Sequence, residues 1–132
     1  MGRMNQSEGV VSRRSSFSVV ETLDRLEKAL QAKGVQVFAR VDHSGEAHRA
    51  GLHMNPCQLL IFGNPKGGTP VMVAAPTAAI DLPLKALAWQ DDAGQVWLSW
   101  NDPEYIRRRF EVPEELMRPL AGVVPLLESV LG

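Results

Sequence analysis

Residues 62–70 read Phe-Gly-Asn-Pro-Lys-Gly-Gly-Thr-Pro and gather more potential chemistry than any other stretch of the chain. Gly63, Gly67 and Gly68 let backbone N–H groups approach a ligand, Lys66 adds a positive point charge and Thr69 a hydroxyl. Thr69-Pro70 also carries the signature of a helix start, and helix N-termini attract anions. The spacing is not that of a phosphate-binding GxxxxGK[ST] loop, where lysine and hydroxyl follow the last glycine side by side, and it is not GxGxxG. The same residues also make a plain turn, with Asn64 tolerating left-handed backbone and Pro65 stiffening it.

Three histidines and a thiol follow one another at His43, His48, His53 and Cys57. Their spacings of five, five and four match no structural zinc pattern, and no metal or cofactor is expected. His43 follows Asp42 at the end of a strand-like run, where a neighbouring carboxylate can raise an imidazole's pKa. Cys57 opens the most apolar run and reads as a small hydrophobe. Trp89, Trp97 and Trp100 share one hairpin, and residues 97 and 100 point to opposite sides of a strand. At least one indole therefore lies off the core face, as a partner surface or as packing under the last helix. Arg107, Arg108 and Arg109, with Glu104 and Glu111 nearby, read as a solvated face.

The chain that positions these groups has 132 residues, 45% hydrophobic and 22% charged, enough for one globular domain and its core. Fourteen basic against fifteen acidic residues leave a net charge of −1, which excludes an electrostatic footprint for nucleic acid. One cysteine cannot build a disulfide framework. No run has the length of a signal-peptide core or of a membrane span, so a cytoplasmic protein without membrane contact is expected.

Residues 1–9 are polar and expected to be loose. A strand runs from Val10 to Phe17. Ser18 and Glu21 form a capping box before a helix over 19–33, whose apolar stripe is Val19, Leu23, Leu26 and Leu30. Val35, Val37, Ala39 and Val41 alternate with Gln36, Phe38, Arg40 and Asp42, which predicts a strand with one buried face. Residues 43–52 suit a short helix or a wrapped loop, and Cys57–Phe62 a strand buried on both faces. A loop over 63–70 then leads to a short helix over 70–75. A hairpin joins Leu84–Gln90 to Gln95–Trp100, and Asp102-Pro103 starts a helix over 103–109. Leu116, Leu120, Val123, Leu127 and Leu131 continue as a helix kinked or divided by Pro119 and Pro125. The order implies a two-layer α+β fold: a mainly antiparallel sheet covered on one face by the early and the C-terminal helices.

Several segments together resemble the domain-of-unknown-function family 302. They are Asp42-His43, Gly63-Asn64-Pro65-Lys66 with Gly68-Thr69-Pro70 and Met72, Asp81 to Lys85, and Asn101-Asp102-Pro103 with Tyr105. The resemblance spans about residues 10–131. It implies the same small α+β fold and no defined reaction. It also draws attention to Asp42, His43, Asn64, Lys66, Gly68 and Thr69 as one ligand site, while His48, His53 and Cys57 stand outside the shared pattern. Three functions follow as expectations. The first is a domain, expected to be a homodimer, that binds a polar or anionic small molecule. The second is an enzyme with His43 as general acid or base and Lys66 as electrostatic stabiliser. The third is an interaction module that uses the tryptophan hairpin.

Overall fold

The structure, a computed structural model, describes residues 7–132. Strand β1 (Val10–Ser15) leads through the Ser18 cap into helix α1 (Val19–Ala32), where the Glu21 N–H donates to Ser18 Oγ at 3.1 Å. Strand β2 (Gln36–Asp42) runs directly into the short helix α2 (His43–Arg49), and β3 (Cys57–Gly63) runs into α3 (Pro65–Ala74). A 3₁₀ turn over Pro76–Ile80 precedes β4 (Leu84–Gln90), β5 (Val96–Asn101) and α4 (Pro103–Phe110). The C-terminal segment is divided, as its prolines require, into a 3₁₀ turn (Glu114–Met117), α5 (Arg118–Ala121) and α6 (Val124–Ser129).

The five strands form one antiparallel sheet in the order β1-β5-β4-β3-β2. This is the expected α+β architecture. One face carries the core, in which Leu23, Leu26 and Leu30 of α1 meet Leu60, Phe62, Ala86, Ala88, Leu98 and Trp100 of the sheet and Leu127 of α6. Each of these leucines is fully buried or nearly so, and truncation to Ala costs about 2–5 kcal/mol at such positions. A smaller cluster of Val71, Ala78, Ile106, Val112, Met117 and Leu120 joins α3 and α4 to the C-terminal segment.

Two strand expectations are corrected. The β2–β3 register shifts between Val37 and Ala39, and this bulge at Phe38 reverses the alternation. Val37 faces the helices, but beyond the bulge Arg40 takes that side and Ala39 and Val41 turn to the other. Arg40 bonds Asp24 at 2.7 Å, the Val20 carbonyl at 3.1 Å and Gln58 at 3.0 Å, so α1 accepts it as a partner. Strand β3 is not covered on both faces: Leu60 and Phe62 are buried, whereas Leu59 and Ile61 lie on a face that no helix layer closes. Residues 1–6 of the expected loose tail lie outside the described residues. Ser7–Gly9 form a turn, the Gly9 carbonyl accepts from the Asp102 N–H at 2.7 Å, and a Cβ on Gly9 would collide with the Tyr105 ring, so this part is docked.

Candidate functional site

The segment 64–69 is helix rather than loop. Asn64-Pro65 and Thr69-Pro70 carry the same polar-then-proline start signal five residues apart, and the earlier one nucleates α3. Asn64 is the N-cap, with its Oδ1 accepting the Lys66 N–H at 2.9 Å. Pro65 has no N–H, and those of Gly67 and Gly68 both donate to the Asn64 carbonyl at 2.9 Å. The first-turn amides are thus already bonded within the chain, so the expected converging nest of free N–H groups does not form. The polar donors left to a ligand are the Lys66 ammonium, the Thr69 hydroxyl and the Asn64 side-chain amide.

These groups border a cavity of about 390 Å³. Asn64 through Thr69 and Met72 form one wall. Phe38, Phe62 and Gly63 with Leu82–Leu84 form the sheet side, and Pro119, Leu120 and Val123 close it from the C-terminal segment. Most of this lining is apolar. Lys66 is exposed at the rim, and among the described residues it makes no ion pair. Gly67 is buried, and a Cβ there would stand 2.9 Å from Pro119 Cβ. Its role is therefore to let α3 approach Pro119 and set the width of the cavity. At Gly68 a Cβ would meet only Met72 Cε, at 3.7 Å.

Asp42 and His43 are not beside this cavity. Asp42 pairs with Gln58 at the start of β3 and Gly63 with Gln36 at its end, so the two ends are separated by about six residues of strand, roughly 20 Å. The antiparallel pairing that follows from a short β2–α2–β3 connection puts them there. Asp42 caps α2 by accepting from the Gly45 N–H at 2.9 Å and the Ser44 hydroxyl at 3.0 Å. Those two bonds, the Gly45 one first, hold its carboxyl below the ordinary value. A Cβ on Gly45 would lie 2.2 Å from Asp42 Oδ2, so glycine is required for this cap. His43 is the exposed first residue of α2. Of the six expected site residues, the structure brings together Asn64, Lys66, Gly68 and Thr69 and leaves Asp42 and His43 apart.

The rings of His48 and His53 lie 6.2 Å apart, and burial followed by the Asp42 charge raises the Cys57 thiol pKa, which disfavours a reactive thiolate. Among the described residues no three His, Cys, Asp or Glu side chains converge on a point that could hold a metal ion. Arg107 pairs with Glu104 and Arg109 with Asp81, the latter at 2.9 Å, leaving Arg108 exposed. Trp100 is a core residue at 5% exposure, whereas Trp89 and Trp97 stack at 6.2 Å on the opposite face of the sheet. They do not pack under the C-terminal helix.

The apolar walls come from Phe38, Met72, Leu82 and Leu120 in four separate segments, and the sequence assigns none of them to the site, although Met72 and Leu82 lie in the stretches that carry the family resemblance. One signal was present: Phe38 is a large hydrophobe in an alternation slot assigned to solvent, and it is 46% exposed at the cavity.

Residues 11–128 match the family model of DUF302, a domain of unknown function. The chain belongs to the DUF302 family. Its fold is similar to that of an uncharacterized conserved DUF302 protein from Bacillus stearothermophilus, known from a crystal structure. The TM-score is 0.77 at 21% identity, covering 95% of this chain and 97% of that one. Among curated proteins, the chain is 46% identical over 101 residues to the fluoride-specific ion channel FluC 1 of Brucella suis biovar 1, which is 76% of this chain and 40% of that protein. It is equally similar over 101 residues to FluC 1 of Brucella abortus and FluC 2 of Brucella melitensis, covering 37% of each. The DUF302 chain therefore spans about two fifths of the length of the curated relatives it matches. No helix among its described residues is long and apolar enough to cross a membrane.

Proposed function

We propose that this DUF302 domain binds an amphipathic small molecule, whose apolar part enters the cavity between α3, β3–β4 and the C-terminal segment. The anionic or polar end of that molecule faces Lys66 and Thr69 at the rim. The observation that carries this reading is the cavity itself. At about 390 Å³ it falls within the range of small-molecule sites, roughly 300–1,000 Å³, and such sites combine apolar walls with a few placed polar groups. An inorganic anion would leave the walls wet and find the helix amides already bonded, so the ligand needs an apolar body. Binding with Lys66 as the electrostatic anchor is supported over catalysis by His43, because the imidazole and the ammonium occupy opposite ends of the β2–β3 pair.

The FluC-named relatives carry a unit like this one in two fifths of their length. We propose that in those proteins it serves as a ligand-binding attachment to the remaining three fifths.

Isothermal titration of a panel of medium-chain and aryl carboxylates, with matched neutral alcohols, tests the reading. Carboxylates are expected to bind, Lys66→Ala to weaken them about tenfold or less while sparing the alcohols, and Gly68→Leu to abolish both by filling the cavity. Binding that survives Gly68→Leu unchanged would overturn the site.

A further inference from the structure

The second face of the sheet carries a separate inference. Three rows of side chains cross it, and the centre is Leu87, midway along β4, itself the middle strand of five. Leu87 stands between Ser99 of β5 and Leu59 of β3, with Ser12 and Val41 beyond them. One neighbouring row holds Arg14, Trp97, Trp89 and Cys57, and the other holds Lys85, Ile61 and Ala39. Helices α1 and α6 pack on the opposite face, and α2 sits only at the Cys57 end of β3. Leu59, Ile61, Leu87, Trp89 and Trp97 thus remain partly exposed side by side.

Apart from the exposed Arg14, whose guanidinium lies 5.6 Å from the Trp97 ring centre, the polar side chains of this face are hydrogen-bonded within the chain. The indole N–H of Trp89 donates to Ser99 Oγ at 2.8 Å, and Ser99 Oγ bonds Ser12 Oγ at 2.6 Å. The Trp97 indole N–H donates to Asp91 at 2.9 Å, and Lys85 Nζ donates to the Pro83 carbonyl at 3.0 Å. Loss of water would therefore orphan neither indole N–H nor either serine hydroxyl, while Lys85, with one of its three N–H donors bonded, keeps donors for a partner. A contiguous apolar face of this kind on a small domain marks an interaction surface.

From this face we infer that the domain forms a face-to-face homodimer about a two-fold axis through Leu87. The extent fits. Five strands at about 4.8 Å spacing and six residues at about 3.3 Å rise project to roughly 480 Å². Two copies then bury on the order of 1,000 Å², at the lower margin of biological interfaces and in the size class of weak, reversible dimers. The charges fit as well. Along β4 the cation Lys85 lies at one end, and Trp89, Asp91 and Asp92 lie at the other. An antiparallel two-fold lays Lys85 of one copy toward the tryptophan and acidic turn of its partner and keeps like charges apart. The interface is isologous, and Leu87 meets its own counterpart.

Sedimentation equilibrium of the whole chain at about 100 µM, where an interface of this size is populated, is expected to give twice the 14.5 kDa chain mass. Leu87→Glu places two carboxylates on the axis and should raise the dimer dissociation constant by about thirtyfold or more. A milder variant guards against misfolding. In a Cys57→Ser background, Leu87→Cys should be joined to its partner by a bismaleimide of about 10 Å reach, the spacing of packed sheets, and Ala93→Cys on the distant turn should not. A monomer at this concentration overturns the proposal and leaves the face to another occupant. A dimer that ignores Leu87→Glu, or one in which Ala93→Cys is joined as readily as Leu87→Cys, overturns it too. Lys66→Ala leaves the mass unchanged, so failure of the dimer and failure of the cavity site are distinguishable.

Discussion

Gly67 and Gly68 are adjacent in the first turns of α3, yet alanine should act on them in opposite directions. Both gain the intrinsic helix preference of Ala over Gly, about 0.5–1 kcal/mol. At Gly68 nothing opposes that gain, because the new methyl meets only the flexible end of Met72 at 3.7 Å. At Gly67 the methyl arrives 2.9 Å from Pro119 Cβ, a ring atom on a segment held by Leu120 in the smaller core. Overpacking of this kind costs about 1–3 kcal/mol. The net expectation is a gain of about 0.5–1 kcal/mol for Gly68→Ala and a loss of about 0.5–2 kcal/mol for Gly67→Ala. In thermal unfolding these become shifts of a few degrees of opposite sign. Relief of the Gly67 clash must push α3 away from Pro119, so the same variant should also change affinity for any cavity ligand. Equal shifts for the two variants, or a stabilised Gly67→Ala, would refute the claim that close helix–proline packing sets the cavity's width.

Arg40→Met should destabilise the fold by about 1–2 kcal/mol in urea titrations, because Asp24, Gln58 and the Val20 carbonyl all lose a charged donor that is only 25% exposed; Asp24→Asn should cost less. Asp91 is held below the ordinary carboxyl value first by the Trp97 indole N–H and then by the Gln95 and Ala93 backbone N–H groups. A depressed folded pKa contributes stability that is present above the unfolded value near pH 4 and is lost as pH falls through the folded one. Asp91→Asn should therefore flatten the acid limb of the stability curve, and an unchanged slope would count against this. Asp42 acts with the same sign through Gly45 and Ser44, so acid should also loosen α2, read as a lower protection of the Gly45 amide relative to its intrinsic exchange rate at each pH.

Local signals carried most of the architecture. Ser18, Asp102-Pro103 and the turn at Asp91–Gly94 each mark an element boundary by short-range chemistry, and all three are realised. Periodicity served α1 well because its stripe is unbroken. It failed on β2, where one extra residue at Phe38 exchanges the roles of Arg40 and Val41, and a bulge has no signature in the alternation that it interrupts. The start of α3 falls at Asn64 and not at Thr69 because two similar signals compete, and the Asn64 cap on the Lys66 N–H and the packing of Gly67 against Pro119 both favour the first. The site was half legible. Lys66 and Thr69 could be read from one segment, but the opposite walls come from Phe38, Leu82 and Pro119, which only the tertiary fold assembles. The placement of His43 was set by strand register, a non-local property that neighbouring residues do not encode.

The cavity between α3, β3–β4 and the C-terminal segment is the proposed meeting place of the domain and its ligand. Side-chain methyl and aromatic NMR shifts, followed during titration with a medium-chain carboxylate, test it most directly. Saturable shifts are expected at Phe38, Met72, Leu82, Leu120 and Val123, with His43, Leu87 and Trp97 unmoved. Saturable shifts centred on Leu87 and Trp97, or on His43, with the cavity residues silent, would contradict it.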